Sequence, residues 1–192
     1  MIIGLTGPTG AGKSSLSKKA RELGFKVVDC DNLARKAVKK GTKGLKALVE
    51  VFGEDILNED KTLNRATLAK KAFISANSTE LLNKTIFPFI IELVEKELNS
   101  DKILLDAPTL FESGINSLCN KTIAVLANED TRLSRIMERD NMEKSAALLR
   151  INAGKSDDFY KQNADFIIYN NDNHLAFISE FEKIIDNILG KI

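Results

Sequence analysis

The chain has little of what marks secreted, membrane-spanning or nucleic-acid-binding proteins. Its two cysteines, Cys30 and Cys119, lie in unrelated segments without C-x-x-C spacing, which favours a reducing compartment over a disulfide framework. Its 28 basic residues against 27 acidic ones leave no cationic excess for nucleic acid. No window approaches the roughly 18 apolar residues of a membrane span, and the N-terminus lacks the basic and apolar regions of a signal peptide. We therefore expect a cytoplasmic protein with no nucleic-acid or membrane partner, and we take it to be a monomer.

What the sequence does contain is an alternation of short apolar runs and charged segments. Five runs, at 1–7, 25–31, 102–108, 121–128 and 164–171, have the character of buried parallel strands. Segments between them, such as SSLSKKARELG and TRLSRIMERD, repeat apolar residues with a helical period of about 3.6. The alternation predicts an α/β fold of three layers, with a central, mostly parallel five-stranded sheet covered by helices on both faces.

The middle of the chain departs from this alternation, because it is mostly helical and longer than one crossover helix requires. A length of 192 residues with 43% hydrophobic content suits one sizeable core. We therefore predict a single domain with a core at 1–32, 101–134 and 156–192, a helical insertion at about 33–100, and a small helical lid at about 135–155.

The stretch GLTGPTGAGKSS comes after the first predicted strand and precedes a helix. Its spacing, Gly7-x-x-x-x-Gly12-Lys13-Ser14, matches the Walker A phosphate loop. Glycines let backbone N–H groups and the helix N-terminus surround a β-phosphate. We expect Lys13 to reach the β- and γ-phosphates and the Ser14 hydroxyl to coordinate Mg²⁺. The loop predicts nucleoside triphosphate binding, but it does not distinguish among the reactions that bound triphosphates undergo.

Two classes of phosphate-loop protein fit the remaining sequence poorly. A GTPase carries a guanine-reading N-K-x-D after a later strand, whereas the candidate here, NKTI, precedes the strand and ends in Ile123. A motor or helicase ATPase has a Glu that polarises water directly after its strand-end Asp, whereas Asp106 is followed by Ala107. An enzyme that must protect ATP from water has no use for that Glu, so a kinase is favoured.

Two carboxylates stand at the end of the second predicted strand. Ligands of open α/β sheets bind at the carboxyl ends of the strands, so Asp29 and Asp31 are expected toward the γ-phosphate. A carboxylate there can accept the proton of an attacking hydroxyl. We expect Asp31, which is nearer the strand end, to be the base. The alternative is that one of the two caps a helix beginning at Asn32.

Three arginines recur at helical spacing in TRLSRIMERDN. Arg132, Arg135 and Arg139 would share one side of a helix, where a closing lid presents guanidinium groups to polyphosphate. The alternative is a solvated charged face with partners at Glu138 and Asp140.

Taken in order, these motifs resemble the dephospho-CoA kinase family. The Walker A motif is followed by D-x-D-x-x-A-R, D-x-T-L-N-R, D-x-P-x-L-F-E, R-L-x-R-x-x-x-R-D and A-D-x-x-I-x-N, and the match runs from Met1 to about Asp172. Each later motif alone is weak, but their order and spacing make the resemblance specific. It implies a kinase that uses Mg²⁺ and moves the γ-phosphate of ATP to the 3′-hydroxyl of dephospho-CoA, giving CoA and ADP in the final step of coenzyme A biosynthesis.

The resemblance also implies roles for individual residues, with Asp31, Lys13 and Arg139 as the catalytic group. ATP would be bound by Gly7, Pro8, Thr9, Gly10, Ala11, Gly12, Lys13, Ser14, Ser15, Arg135 and Asn170, the last near the adenine. Dephospho-CoA would be bound by Asp29, Asp31, Arg35, Arg65, Leu110, Phe111 and Glu112. Mg²⁺ would be held by Ser14 and, through water, by Asp106. Arginines suit the diphosphate of this acceptor, and an apolar wall suits its adenine.

The chain departs from the family pattern at several positions. Phe87 precedes Pro88 where the family commonly has His, and Gly154 stands where it usually has Gln. Two further interpretations stay open: a small-molecule kinase acting on a nucleoside or nucleoside monophosphate, and a nucleotide-binding regulatory protein without transferase activity.

Overall fold

A computed structural model of the chain describes residues 1–171 and 173–191. Ile192 and Asp172, where the family motifs end, lie outside the described residues. The described chain forms two compact units, one of Met1–Val28 with Ser100–Ile192 and the other of Asp29–Asn99.

The strands and helices have the order that the sequence predicts. The strands are β1 (Ile2–Thr6), β2 (Lys26–Asp29), β3 (Ile103–Asp106), β4 (Lys121–Leu126) and β5 (Phe166–Tyr169). The helices are α1 (Lys13–Glu22), α2 (Cys30–Ala37), α3 (Lys43–Phe52), α4 (Arg65–Ala72), α5 (Ala76–Glu97), α6 (Glu129–Asp140), α7 (Lys144–Asn152), α8 (Asp157–Asn163) and α9 (His174–Ile188), with 3₁₀ turns at Glu54–Ile56 and Ile115–Leu118.

The sheet has five strands in the order β2-β3-β1-β4-β5. Strand β1 pairs in parallel with β3 and β4, and β4 pairs in parallel with β5. Each strand lies within one of the five apolar runs, so the predicted α/β fold and its sheet are confirmed. Strand β1 is therefore the middle strand, between β3 and β4, and the loop that follows it begins at the middle of the sheet.

Both faces of the sheet in the first unit are covered. Side chains alternate between the faces of a strand. On one face, Ile3 and Leu5 of β1 belong to a cluster that also contains Leu16 of α1 and Phe177 and Phe181 of α9. The opposite set, which includes Ala124 and Leu126, packs against Tyr160 of α8. The C-terminal helix belongs to this core. A strand buried from both sides holds the loop at its end in a fixed position.

The second unit is helical, and its helices begin where the sequence supplies caps. The side chains of Thr42, Asn64 and Ser75 each accept a hydrogen bond from a backbone N–H in the first turn of α3, α4 and α5. Helix α5 contacts α2, α3 and α4 and continues through Pro88 for 22 residues. Among the residues that the structure describes, no helix is long and apolar enough to span a membrane.

Candidate active site

The phosphate loop connects the buried strand β1 to helix α1. Gly12 is the N-cap of α1, with φ of 100° in the left-handed region, and no side chain caps the helix. The first turn of α1 also contains no acidic residue. An uncapped helix N-terminus presents N–H groups and the positive end of the helix dipole, so this end of α1 is suited to an anion.

Lys13 and Ser14 open helix α1, at the positions where the Walker A motif places a cation and a hydroxyl. Ser14 is exposed and Lys13 is half-buried. Within residues 1–171 and 173–191, neither side chain forms a hydrogen bond or ion pair. Both groups therefore remain available to a ligand at this end of the helix.

Asn170 and Arg135 bind the backbone of the phosphate loop. Asn170 comes directly after β5, is 6% exposed, and donates from Nδ2 to the carbonyl oxygen of Ala11 at 2.8 Å. Arg135 donates from Nη1 to the carbonyls of Gly10 and Ala11, both at 3.4 Å, and from Nη2 to Asn170 Oδ1 at 3.3 Å. The sequence placed both residues among the ATP ligands, and the structure brings both against the loop that would hold the phosphates.

Arg132 also reaches the loop, although the sequence grouped it with the lid arginines. It is buried, with 6% of its surface exposed, and its Nε donates to the carbonyl of Thr9 at 3.0 Å. The alternative of a solvated charged face therefore describes Arg139 but not Arg132. Sequence spacing showed that these side chains share a helix, but it contained no signal for which of them is buried.

Asp106 ends β3 and is held by the first helix. Its Oδ2 accepts a hydrogen bond from the hydroxyl of Ser17 at 2.6 Å. Sequence reasoning missed Ser17, which lies one helical turn after Ser14 and is buried. The hydrogen bond fixes the carboxylate at the end of the strand.

The oxygen donors of Asp106 and Ser14 are the kind that Mg²⁺ prefers. In the described residues no group of three or more His, Cys, Asp or Glu is placed to hold a metal ion. Mg²⁺ in kinases is held by one or two protein oxygens together with water and substrate phosphates, so the donor set fits that cation.

Arg139, the predicted lid catalyst, is exposed and pairs with its neighbour. Its Nε and Nη2 donate to the two carboxylate oxygens of Asp140, both at 2.8 Å, and Arg150 of α7 donates to the same carboxylate. The Arg139 guanidinium lowers the pKa of Asp140 to about 2. One carboxylate thus gathers two guanidinium groups, which anionic phosphates can also bind.

Helix α7 is anchored to α6 through an apolar cluster. The cluster consists of Leu133, Ile136, Ala147 and Ile151, with partly buried Met137, Met142 and Leu148 around it. The segment predicted as a lid, at about 135–155, therefore contains the second half of α6 and α7, which pack on each other and carry the exposed Arg139 and Arg150.

A cavity of about 340 Å³ in the second unit brings together three of the predicted acceptor ligands. Asp31, Arg35 and Arg65 line it, and the rest of its lining is apolar: Ala34, Val38, Leu48, Leu63, Leu68, Leu82, Ile86 and Ile90. The cavity offers an anionic group, two cations and an apolar interior to one ligand.

Asp29 and Asp31 differ in local structure. Helix α2 begins at Cys30, two residues earlier than expected, and Asp29 is its N-cap, with Oδ1 accepting from the Asn32 N–H at 2.9 Å. The capping alternative is therefore observed for Asp29. Asp31 lies in the first turn of α2, not on the strand.

The segment after β3 contains the remaining predicted acceptor ligands, in the first unit. Leu110 is fully buried, and the Phe111 ring meets the Phe159 ring edge-on at 5.9 Å. Oε2 of Glu112 is buried without a hydrogen-bond partner within the described part of the chain. A buried carboxylate oxygen without a donor is suited to a donor group of a ligand.

A parallel sheet, a Walker A loop at the end of its first strand and an arginine-bearing helix after a later strand define a P-loop kinase. The dephospho-CoA kinase family model matches residues 1–176. The chain belongs to the dephospho-CoA kinase family.

Individual relatives agree with the family match. The dephospho-CoA kinase of Listeria monocytogenes is 40% identical over 194 residues, covering 94% of this chain and 97% of that protein. A crystal structure from Thermus thermophilus has a TM-score of 0.81 at 26% identity, covering 100% of this chain and 97% of the other. Dephospho-CoA kinase from Campylobacter jejuni has a TM-score of 0.67, also at 26% identity, covering 100% and 98% of the two chains.

Proposed function

We propose that this protein transfers the γ-phosphoryl group of ATP to the 3′-hydroxyl of dephospho-CoA, forming CoA and ADP. The observation that carries the proposal is the cavity lined by Asp31, Arg35 and Arg65 with an apolar interior. The acceptor presents a nucleophilic hydroxyl, a diphosphate and an adenine. A carboxylate, two guanidinium groups and apolar side chains are the matching partners. Family membership supports the same acceptor.

On the donor side, ATP binds the phosphate loop from Gly7 to Ser15. The uncapped N-terminus of α1 receives the β-phosphate, and Lys13 reaches the transferred group. Mg²⁺, held by Ser14 and through water by Asp106, would neutralise charge on the β- and γ-phosphates. The hydrogen bond from Ser17 to Asp106 keeps that carboxylate oriented.

In the transfer, the 3′-oxygen forms a bond to the γ-phosphorus while the bond from that phosphorus to the β–γ bridging oxygen breaks. The hydroxyl proton passes to Asp31, and ADP leaves with the bridging oxygen. Arg139 stabilises charge on the equatorial oxygens after exchanging Asp140 for phosphate.

Acceptor recognition divides among the remaining predicted residues. Arg35 and Arg65 bind the diphosphate, and Phe111, which follows the fully buried Leu110, provides apolar wall for the adenine. Glu112 accepts a hydrogen bond from the acceptor, supported by its unpartnered buried oxygen in the described residues. Asp29 keeps α2 capped and so orients Asp31.

We further propose that the enzyme is a cytoplasmic monomer with small-molecule partners alone. The lack of paired cysteine motifs supports a reducing compartment, and the balanced charge supports small-molecule partners over nucleic acid. The composition has no overall cationic excess of the kind that nucleic-acid-binding proteins carry.

The test is ADP release in a coupled assay with ATP and Mg²⁺, comparing dephospho-CoA with a panel of nucleosides and nucleoside monophosphates. We expect turnover with dephospho-CoA and none above background with the panel. Turnover with a nucleoside alone would replace the proposal by a nucleoside kinase. ATP binding without turnover of any acceptor would instead support a regulatory nucleotide-binding protein.

A further inference from the structure

Arg132 is a buried cation that the proposed mechanism does not use. Its side chain is 8% exposed, and its ion pair with Asp157 is long, at 3.9 Å. Burying a guanidinium group is costly unless hydrogen bonds compensate for the lost water. A hydrogen bond from its Nε to the loop carbonyl of Thr9, at 3.0 Å, provides such compensation.

We propose that Arg132 is a positioning residue that sets the orientation of the phosphate-loop backbone for ATP. This proposal rests on the proposed function, since it concerns the ATP side of that reaction. Arg132 acts through the loop and does not touch the nucleotide.

The loop lies directly against the backbone of α6 at this residue. A Cβ added to Gly10 would be 2.8 Å from the carbonyl oxygen of Arg132 and 3.0 Å from its Cα. The backbone of Arg132 therefore lies against Gly10, while its side-chain Nε donates to the carbonyl oxygen of Thr9, the residue before Gly10. Backbone packing and one hydrogen bond hold the same turn.

The direction of the Thr9 carbonyl matters because a phosphate loop binds anions with backbone N–H groups. A carbonyl oxygen turned toward a phosphate would repel it. A buried donor that binds this carbonyl favours the conformation in which the oxygen is directed to α6, and it lowers the cost of burying that oxygen. Asn170 and Arg135 bind the next carbonyls, so Arg132 extends this support to the start of the turn.

Side-chain geometry allows a sharp test. In glutamine, Nε2 lies the same number of bonds from Cα as Nε of arginine, so Arg132→Gln can keep the hydrogen bond while removing the charge. Arg132→Met has the same length without a donor. The dissociation constant for ATP is measured by calorimetry without acceptor, and KM for ATP and for dephospho-CoA are measured by ADP release.

We expect Arg132→Met to raise the Kd and KM for ATP about tenfold, the ratio that corresponds to about 1.4 kcal/mol. KM for dephospho-CoA should stay within about threefold of wild type, because the loop does not bind that substrate. Arg132→Gln should keep the Kd for ATP within about threefold of wild type. Equal ATP affinity in the Met and Gln variants would overturn the proposal, as would a Met variant that lowers only the melting temperature.

A second isosteric pair keeps the test decisive if the methionine variant does not fold. Arg132→Glu replaces the donor of glutamine by an acceptor that opposes the Thr9 carbonyl, so it should bind ATP more weakly than Arg132→Gln. Equal affinity of these two variants would also overturn the role. If the wild type binds ATP but does not phosphorylate dephospho-CoA, the proposed function fails while the affinity comparison still decides the role of Arg132.

Discussion

Replacing Gly12 by alanine is expected to damage the phosphate loop in two separable ways. A residue with a Cβ at φ of 100° is strained by about 1–2 kcal/mol. The new Cβ would also clash with Asn170 Nδ2, which must then leave its 2.8 Å hydrogen bond to Ala11. Losing a buried hydrogen bond adds about 1–3 kcal/mol. The two effects together predict a loss of about 2–5 kcal/mol in the free energy of unfolding.

Gly24 provides a matched control for the strain alone. Its φ is 83°, and no atom lies within 4 Å of the position that a Cβ would take. Gly24→Ala should therefore cost only the strain, about 1–2 kcal/mol. Urea denaturation measures both variants, and calorimetry measures ATP binding. We expect ATP affinity to fall at least about tenfold in Gly12→Ala, which corresponds to about 1.4 kcal/mol, and to stay unchanged in Gly24→Ala.

A double-mutant cycle with Asn170→Ala isolates the clash. In that background the amide is absent, so Gly12→Ala should retain only the strain. The explanation would be refuted by equal costs for Gly12→Ala in both backgrounds, or by a Gly12→Ala protein that matches Gly24→Ala in stability and the wild type in ATP affinity.

Three further predictions concern the site and the shifted pKa values. Asp31→Asn should lower kcat, measured by ADP release, at least about a hundredfold, and should change the Kd for ATP, measured by calorimetry, less than about threefold. Wild-type turnover of this variant would contradict the role of Asp31 as base. Arg139 lowers the pKa of Asp140 to about 2, from about 4 in the unfolded chain. The contribution of this ion pair to the free energy of unfolding is therefore full above about pH 5 and is lost as pH falls from about 4 through about 2. The difference in unfolding free energy between wild type and Asp140→Asn should shrink over that range, and a constant difference would argue against this ion pair. Burial raises the pKa of Cys119 to about 12. A thiol reagent at about pH 8 should therefore label Cys119 much more slowly in the folded protein than in the urea-unfolded protein. Equal labelling rates in the two states would contradict the burial of this thiol.

The sequence predicted the parts of the structure that depend on local patterns. Five apolar runs became five strands, and the Walker A spacing placed the loop between β1 and α1. Asn64 of the D-x-T-L-N-R motif is a residue type that caps helices, and α4 begins directly after it. These features arise from hydrophobic period, turn residues and capping residues within a few positions of one another.

The support behind the loop was not predictable in the same way. The hydrogen bond from Arg132 to Thr9 joins positions 123 apart, and the one from Asn170 to Ala11 joins positions 159 apart. Helical spacing made Arg132 and Arg139 equivalent, whereas packing buries the first and exposes the second. Which side of a helix meets a loop depends on tertiary packing.

The second strand shows a local competition that the sequence left open. Its apolar run was expected to continue to Asp31, but Asp29 caps α2 and the helix begins at Cys30. A capping hydrogen bond to the Asn32 N–H satisfies a donor that an extended chain would leave to water. Pro88 lies inside α5, where it removes one backbone N–H donor. The helix continues through it because the packing of α5 against α2, α3 and α4 outweighs that loss.

The most direct test of the central claim uses two acceptors that differ only in one hydroxyl group. ADP release is measured with ATP, Mg²⁺ and dephospho-CoA lacking either the ribose 3′-hydroxyl or the ribose 2′-hydroxyl. Because the 3′-oxygen is the proposed nucleophile, we expect no ADP above background with the 3′-deoxy acceptor and clear turnover with the 2′-deoxy acceptor. Turnover of the 3′-deoxy acceptor, with phosphate found on another atom of the product, would contradict the proposed reaction.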